Sequence, residues 1–145
     1  MTEFEGLMRI ALAATLGGAI GFDREAHSGS AGLRTHILVA LGAATFTVLG
    51  IQIADSPIFT ADHIRLDPSR IMEGTITGIG FLGGAIVFRD NDRARNVTTA
   101  AGIWAVTALG IAAGLGYYVL ATGVTLLTFF VLNLLKMLQR QTEAG

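Results

Sequence analysis

Residues 35–54 read Thr-His-Ile-Leu-Val-Ala-Leu-Gly-Ala-Ala-Thr-Phe-Thr-Val-Leu-Gly-Ile-Gln-Ile-Ala, with no Asp, Glu, Lys or Arg. The stretch matches the roughly 20 residues a helix needs to cross about 30 Å of hydrocarbon. It is apolar on all sides, whereas a barrel strand alternates apolar and polar positions over about ten residues. Lipid offers no water to bare backbone groups, so the segment is expected to be helical. Four further apolar stretches have the same character: 7–22, 69–88, 97–114 and 117–138. The expected fold is an all-α integral membrane protein, a single domain over 1–145 built as a bundle of five glycine-rich transmembrane helices.

Composition agrees. Hydrophobic residues make up 52% of the 145 and charged residues 14%, against about 25% charged in soluble domains. A soluble domain this small could not hide so much apolar surface. The net charge of -1 comes without a Lys/Arg run, which argues against a nucleic-acid partner. The absence of cysteine excludes disulfides, thiolate catalysis and Cys-based metal sites. The start, Met1-Thr2-Glu3-Phe4-Glu5, is acidic where a cleavable signal would be basic, so the first apolar run is expected to be a retained span. Thr2 stands where myristoylation needs glycine, and there is no C-terminal cysteine for a lipid anchor.

The connections carry nearly all the charge. With the N-terminus outside, the cytoplasmic side holds Arg24, Arg34, Arg89, Arg93, Arg95, Lys136 and Arg140, and the outer side holds Arg9, Arg65 and Arg70. The positive-inside rule then sets the N-terminus out and the C-terminus in. Tyr117 and Tyr118 fall at the outer interface, where amphipathic rings are favoured. Only Leu115-Gly116 separates the last two spans, which predicts a tight antiparallel hairpin. Asp67-Pro68-Ser69 reads as an N-cap with proline at the first helical position.

Gly17/Gly21, Gly74/Gly78, Gly80/Gly84 and Gly110/Gly114 are each spaced by four. That spacing places both glycines on one helix face and lets a neighbouring backbone approach closely. The third span concentrates them in Gly78-Ile79-Gly80-Phe81-Leu82-Gly83-Gly84. Two readings stand: a local unwinding of the kind that coordinates ions in transporters, or a continuous helix packed very closely. The second is preferred, because no carboxylate lies inside the stretch.

Charged groups inside a span are costly, about 2.5–3.5 kcal/mol for a centred Arg, Lys or Asp on insertion scales. Here they gather at span ends. The cytoplasmic cluster comprises Asp23, Arg24 and Glu25 after the first span, Arg34, Thr35 and His36 at the second, and Asn96, Thr98 and Thr99 at the fourth. The outer cluster comprises Asp67, Ser69, Arg70 and Glu73. Each has a plain structural reading beside the functional one. Arg70 and Glu73 can form an intrahelical pair, the cytoplasmic charges can anchor the interface through mutual salt bridges, and His36 can be a hydrogen-bonded structural histidine instead of a cation ligand or pH sensor. Asp23, Glu25 and Glu73 are oxygen ligands suited to Mg²⁺, but Glu73 falls on the opposite side, so the three do not share a site. Trp104 sits mid-span and is expected inside the bundle or against a second subunit. His63 has no neighbouring ligands. No nucleotide fingerprint, zinc spacing or catalytic triad is present, so no enzyme activity and no cofactor are expected.

Read in order, Gly21-Phe22-Asp23-Arg24-Glu25, Ala31-Gly32-Leu33-Arg34-Thr35-His36, Asp67-Pro68-Ser69-Arg70-Ile71, the glycine-rich 78–84 and Thr98-Thr99-Ala100-Ala101 with Trp104 resemble the transmembrane domain of the MgtC/SapB family over nearly the whole chain. Two departures are conservative: Gly-Phe-Asp-Arg-Glu where a GLERE-type motif is usual, and Gly83-Gly84-Ala85 in place of Gly-Ala-Gly. The resemblance implies a bacterial inner-membrane bundle, a homodimer, and a role in acclimation to low magnesium and, in pathogens, survival inside phagocytes. It also implies, for some members, restraint of the rotary ATP synthase. Virulence-linked members carry a soluble C-terminal domain, and this sequence stops at Gly145, soon after the fifth span. The preferred expectation is a non-enzymatic regulator acting through a membrane partner. The alternative is a small Mg²⁺, K⁺ or H⁺ transporter or channel with Asp23, Glu25, Arg34 and Glu73 along its path.

Overall fold

The computed structural model of the chain describes residues 1–26, 30–56, 67, 69–90 and 93–143. Five helices dominate: α1 (Glu3–Ala26), α2 (Leu33–Ala54), α3 (Ser69–Ile86), α4 (Val97–Leu115) and α5 (Tyr118–Glu143). This is an all-α membrane protein. α1, α2 and α4 are long and apolar enough to cross a bilayer, and α5 is apolar over Tyr118–Leu134. α1 runs beyond 7–22 at both ends, because Glu3 and Glu5 sit in its first turn and Arg24 in its last, where the helix dipole favours those charges. His27, Asp62, His63, Arg65 and Pro68 lie outside the described residues, and with them the reading of Pro68 as a first helical residue.

α2 is the centre of the bundle, held between α1 and α4. Ala40 is fully buried there. A β-carbon built on Gly17 of α1 would stand 2.6 Å from the Ala40 β-carbon, and one built on Gly110 of α4 would stand 2.6 Å from the Ala40 carbonyl oxygen. Gly21 and Gly114 repeat the contact one turn along, against His36 and Leu33 and against Thr47 and Ala44. Three helices thus meet backbone to backbone through small residues, the geometry that membrane helices use in place of a hydrophobic driving force. Ile20, Ala44, Val106, Leu109 and Ala113 complete this core, and Ala121 and Leu132 attach α5 to it. α3 differs from its neighbours, since none of its residues is buried.

α3 is continuous through 78–84, so the broken-helix reading is not the arrangement adopted. Between α3 and α4, β1 (Phe88–Asp90) pairs antiparallel with β2 (Arg93–Arg95), in the register Phe88 to Arg95. The Arg/Asp alternation of this link reads only as a charged connection, because three-residue strands are too short to show a period. α4 ends in a Schellman arrangement: Gly116 takes φ 86°, and the N–H groups of Gly116 and Tyr117 donate to the carbonyls of Ala113 and Ala112.

Candidate functional site

The polar residues of 23–25, 34–36 and 96–99 gather where α1 ends and α2 and α4 begin. Arg24, in the last turn of α1, is only 8% exposed, and its Nη2 donates to Thr99 Oγ1 at 3.3 Å. Ser30 Oγ donates to the same oxygen at 3.2 Å. Thr99 therefore receives both α1 and the α1–α2 link on α4. Glu25 takes a different partner. Its Oε2 accepts the Leu33 N–H at 2.8 Å, satisfying a first-turn donor of α2 that Gly32, at the N-cap position, cannot reach with a side chain.

His36 is 1% exposed. Its Nδ1 lies 2.8 Å from the Gly32 carbonyl oxygen, which can only accept, so Nδ1 carries a hydrogen. Nε2 is buried without a hydrogen-bond partner among the described residues, facing the open side of Gly102 at 4.0 Å from where that residue's β-carbon would stand. Asp23 is half-buried, with one carboxylate oxygen shut off from solvent. Arg34 is exposed, and Thr35 lines a groove of about 470 Å³ between α2 and α3 with Leu38, Phe46, Gly74 and Gly78. Asn96 adopts the left-handed conformation at φ 62° and donates from Nδ2 to the Ile86 carbonyl at 3.3 Å, tying the end of α3 to the start of α4. Thr98 points away, exposed on the wall of a recess between α4 and α5.

Asp67, Ser69, Arg70 and Glu73, at the start of α3, do not converge. Asp67 accepts the Ser69 N–H at 2.9 Å. The Ser69 hydroxyl and N–H, with the smaller help of the Arg70 charge, hold the Asp67 carboxyl below its ordinary value of 3.8. Arg70 and Glu73 are both exposed, and no ion pair joins them. Glu73, near the start of α3, is at the opposite end of the bundle from Asp23 and Glu25. Among the described residues no group of three or more His, Asp or Glu is placed to hold a metal ion.

The glycine pairs divide. Gly17/Gly21 and Gly110/Gly114 are filled against α2, whereas β-carbons built on Gly74, Gly78, Gly80 and Gly84 would meet nothing within 4 Å. Trp104 is 55% exposed and lines a recess with Met72, Ile76, Tyr117 and Leu120. That placement is on the bundle surface and not in the interior of the single chain.

Residues 10–141 match the MgtC family. The chain belongs to that family. Among its relatives, YhiD of Escherichia coli K12, whose name carries a provisional assignment as a magnesium transporter, is 37% identical over 92% of this chain and 62% of its own length. Protein MgtC of Brucella abortus is 38% identical over 88% of this chain and 50% of its own. Protein SrpB of Synechococcus elongatus is 35% identical over 91% of this chain and 75% of its own. The chain thus spans about half to two thirds of the first two. No solved structure matches it.

Two residues of this MgtC-family bundle escape a reading by motif. Arg9 reads as a single outer-side charge, yet it passes under the α4–α5 turn: Nη1 donates to the Gly114 carbonyl at 3.0 Å and Nη2 pairs with Glu5. A β-carbon on Gly116 would stand 2.9 Å from the Arg9 guanidinium carbon. Ser30 reads as part of a turn and is instead a ligand of Thr99. The available signal for Arg9 was its Glu5 partner at helical spacing. Nothing local points from Arg9 to a carbonyl 105 residues away.

Proposed function

We propose that this chain is a non-enzymatic inner-membrane regulator in magnesium limitation or ion homeostasis, acting as a homodimer through contact with another membrane complex. In this reading all five helices cross the membrane as one domain, with the N-terminus outside and the C-terminus in the cytoplasm. The observation that carries it is the character of the bundle interior. α1, α2 and α4 are locked backbone to backbone at Ala40, Ala44 and Thr47, and an arginine is buried or nearly so at each end, Arg24 and Arg9. A close-packed interior with a guanidinium group near each end argues against a Mg²⁺ path through the single bundle. The family and the Mg-related name of one relative support the physiological setting, and the ATP synthase is the membrane complex to test first as a partner.

A second reading, a small transporter of Mg²⁺, K⁺ or H⁺, draws on two observations: the provisional name of YhiD and Glu73, a carboxylate exposed on α3 about 6 Å along the axis from Ser69. Flux separates the two. Protein reconstituted in liposomes is expected to move Mg²⁺ and H⁺ no faster than empty vesicles, and to co-purify with a membrane complex from cells starved of magnesium. Flux that Glu73→Gln abolishes would overturn the regulator reading in favour of the transporter.

A further inference from the structure

α3 is the helix that a single chain explains least. None of its residues is buried. Its glycines at 74, 78, 80 and 84 weaken the helix, and in the single chain no neighbour uses the room they leave. Glu73, Thr77, Gly80 and Gly84 recur at i, i+4, i+7 and i+11, so they share one face, and all four are exposed. Arg70 stands one turn before Glu73 at the edge of that face. Both side chains are exposed, and no ion pair joins either to a described residue.

Lipid is a poor occupant for such a face. Ionisable groups inside a span persist when a partner or water meets them, and a hydroxyl followed by two glycines suits a backbone approaching closely. We propose that this face of α3 is the contact between two copies of the chain, with each Arg70 pairing with Glu73 of the other copy. Charge selects the occupant. A two-fold axis along the membrane normal sets the two α3 helices side by side and parallel, and every contact then occurs twice. Arg70 and Glu73 are offset by three residues, roughly 4.5 Å along the axis, a gap the arginine side chain spans. One helix thus carries both halves of a reciprocal pair. Gly80 and Gly84 lie on the same face deeper in the membrane, where the backbones come closest. The inference rests on the homodimer reading above and adds to it which surface is used.

The chain has no cysteine, so single cysteines map the contact without background. In the full chain reconstituted in vesicles of mixed zwitterionic and anionic phospholipid, Thr77→Cys is expected to cross-link readily. Val119→Cys, on α5 and 89% exposed, is expected to stay uncross-linked in the same assay. Arg70→Glu and Glu73→Arg should each raise the dimer dissociation constant roughly tenfold, and the double exchange should return it to within about threefold of wild type. A variant that merely misfolds is not rescued by a second substitution, so recovery identifies the pair. A stable dimer in which Thr77→Cys does not cross-link overturns the α3 contact while the homodimer stands. Cross-linking with no response to charge exchange overturns the reciprocal pair. A wild-type chain that is monomeric at every protein-to-lipid ratio overturns the homodimer and this inference together.

Discussion

At the scale of single residues, space decides which substitutions the bundle accepts. Gly17 and Gly110 both face Ala40, and a methyl at either would stand 2.6 Å from an atom of that residue. The nearest atoms belong to a rigid helix, so Gly17→Ala and Gly110→Ala are each expected to destabilise the folded chain by about 1–3 kcal/mol, as over-packed sites do. Gly42 lies in the same α2 helix, but a β-carbon there meets nothing within 4 Å. Gly42→Ala is expected to be neutral, or stabilising by up to about 1 kcal/mol through helix propensity. Denaturant unfolding in detergent micelles measures all three, and equal effects at the three sites would refute the packing argument. Glu25 belongs to this scale too. Removing its carboxylate in Glu25→Ala leaves the Leu33 N–H without its acceptor and should cost about 1 kcal/mol, the usual loss for a helix cap.

At the scale of elements, the informative features are helix ends. The Asp67 carboxylate caps the start of α3, and its folded-state pKa lies below 3.8 because the Ser69 donors favour the charged form. A depressed acid contributes above its ordinary pKa and loses that contribution as the pH falls through the depressed value. The cap is therefore complete at neutral pH and is lost only below pH 3.8. A carboxyl ¹³C titration of Asp67 should show a midpoint under that value, and Ser69→Ala should move it upward by removing the hydroxyl contribution. Arg9 acts at an end as well. Arg9→Met leaves the Gly114 carbonyl and Glu5 without their partner and is expected to destabilise the α4–α5 turn by about 1.5–3 kcal/mol, the range for charged hydrogen bonds. Amide exchange at Gly116 and Tyr117 would locate the loss.

At the scale of the whole molecule, the Arg24–Thr99–Ser30 junction joins parts of the chain separated by about seventy residues. Thr99→Val removes the oxygen that accepts from both partners and leaves a buried guanidinium under-satisfied, which should cost about 1–3 kcal/mol. Thr98→Val, one residue away and exposed, should cost almost nothing. A thermal shift comparison of the two variants checks this, and similar losses from both would mean that the junction does not hold the fold together.

Much of this architecture is legible without coordinates. That the chain enters a membrane as helices follows from runs such as 35–54, because hydrocarbon thickness and the need to satisfy every backbone group are properties of a segment by itself. The polar residues at 23–25, 34–36 and 96–99 likewise read as a group from their positions at span ends. The glycines show where such reading stops. Gly17/Gly21 and Gly80/Gly84 have the same spacing, yet the first pair is pressed against α2 and the second faces open space. Helical period identifies a face but not what lies opposite, and no charge pattern announces that Arg9 reaches the Gly114 carbonyl or that Glu25 caps α2. The sequence by itself determined the solvent of this protein and its helical repertoire, which depend on local length and polarity. Which small residues touch, which charges are buried, and that α3 is left with an unfilled face were decided only by tertiary structure, because those depend on which helices become neighbours.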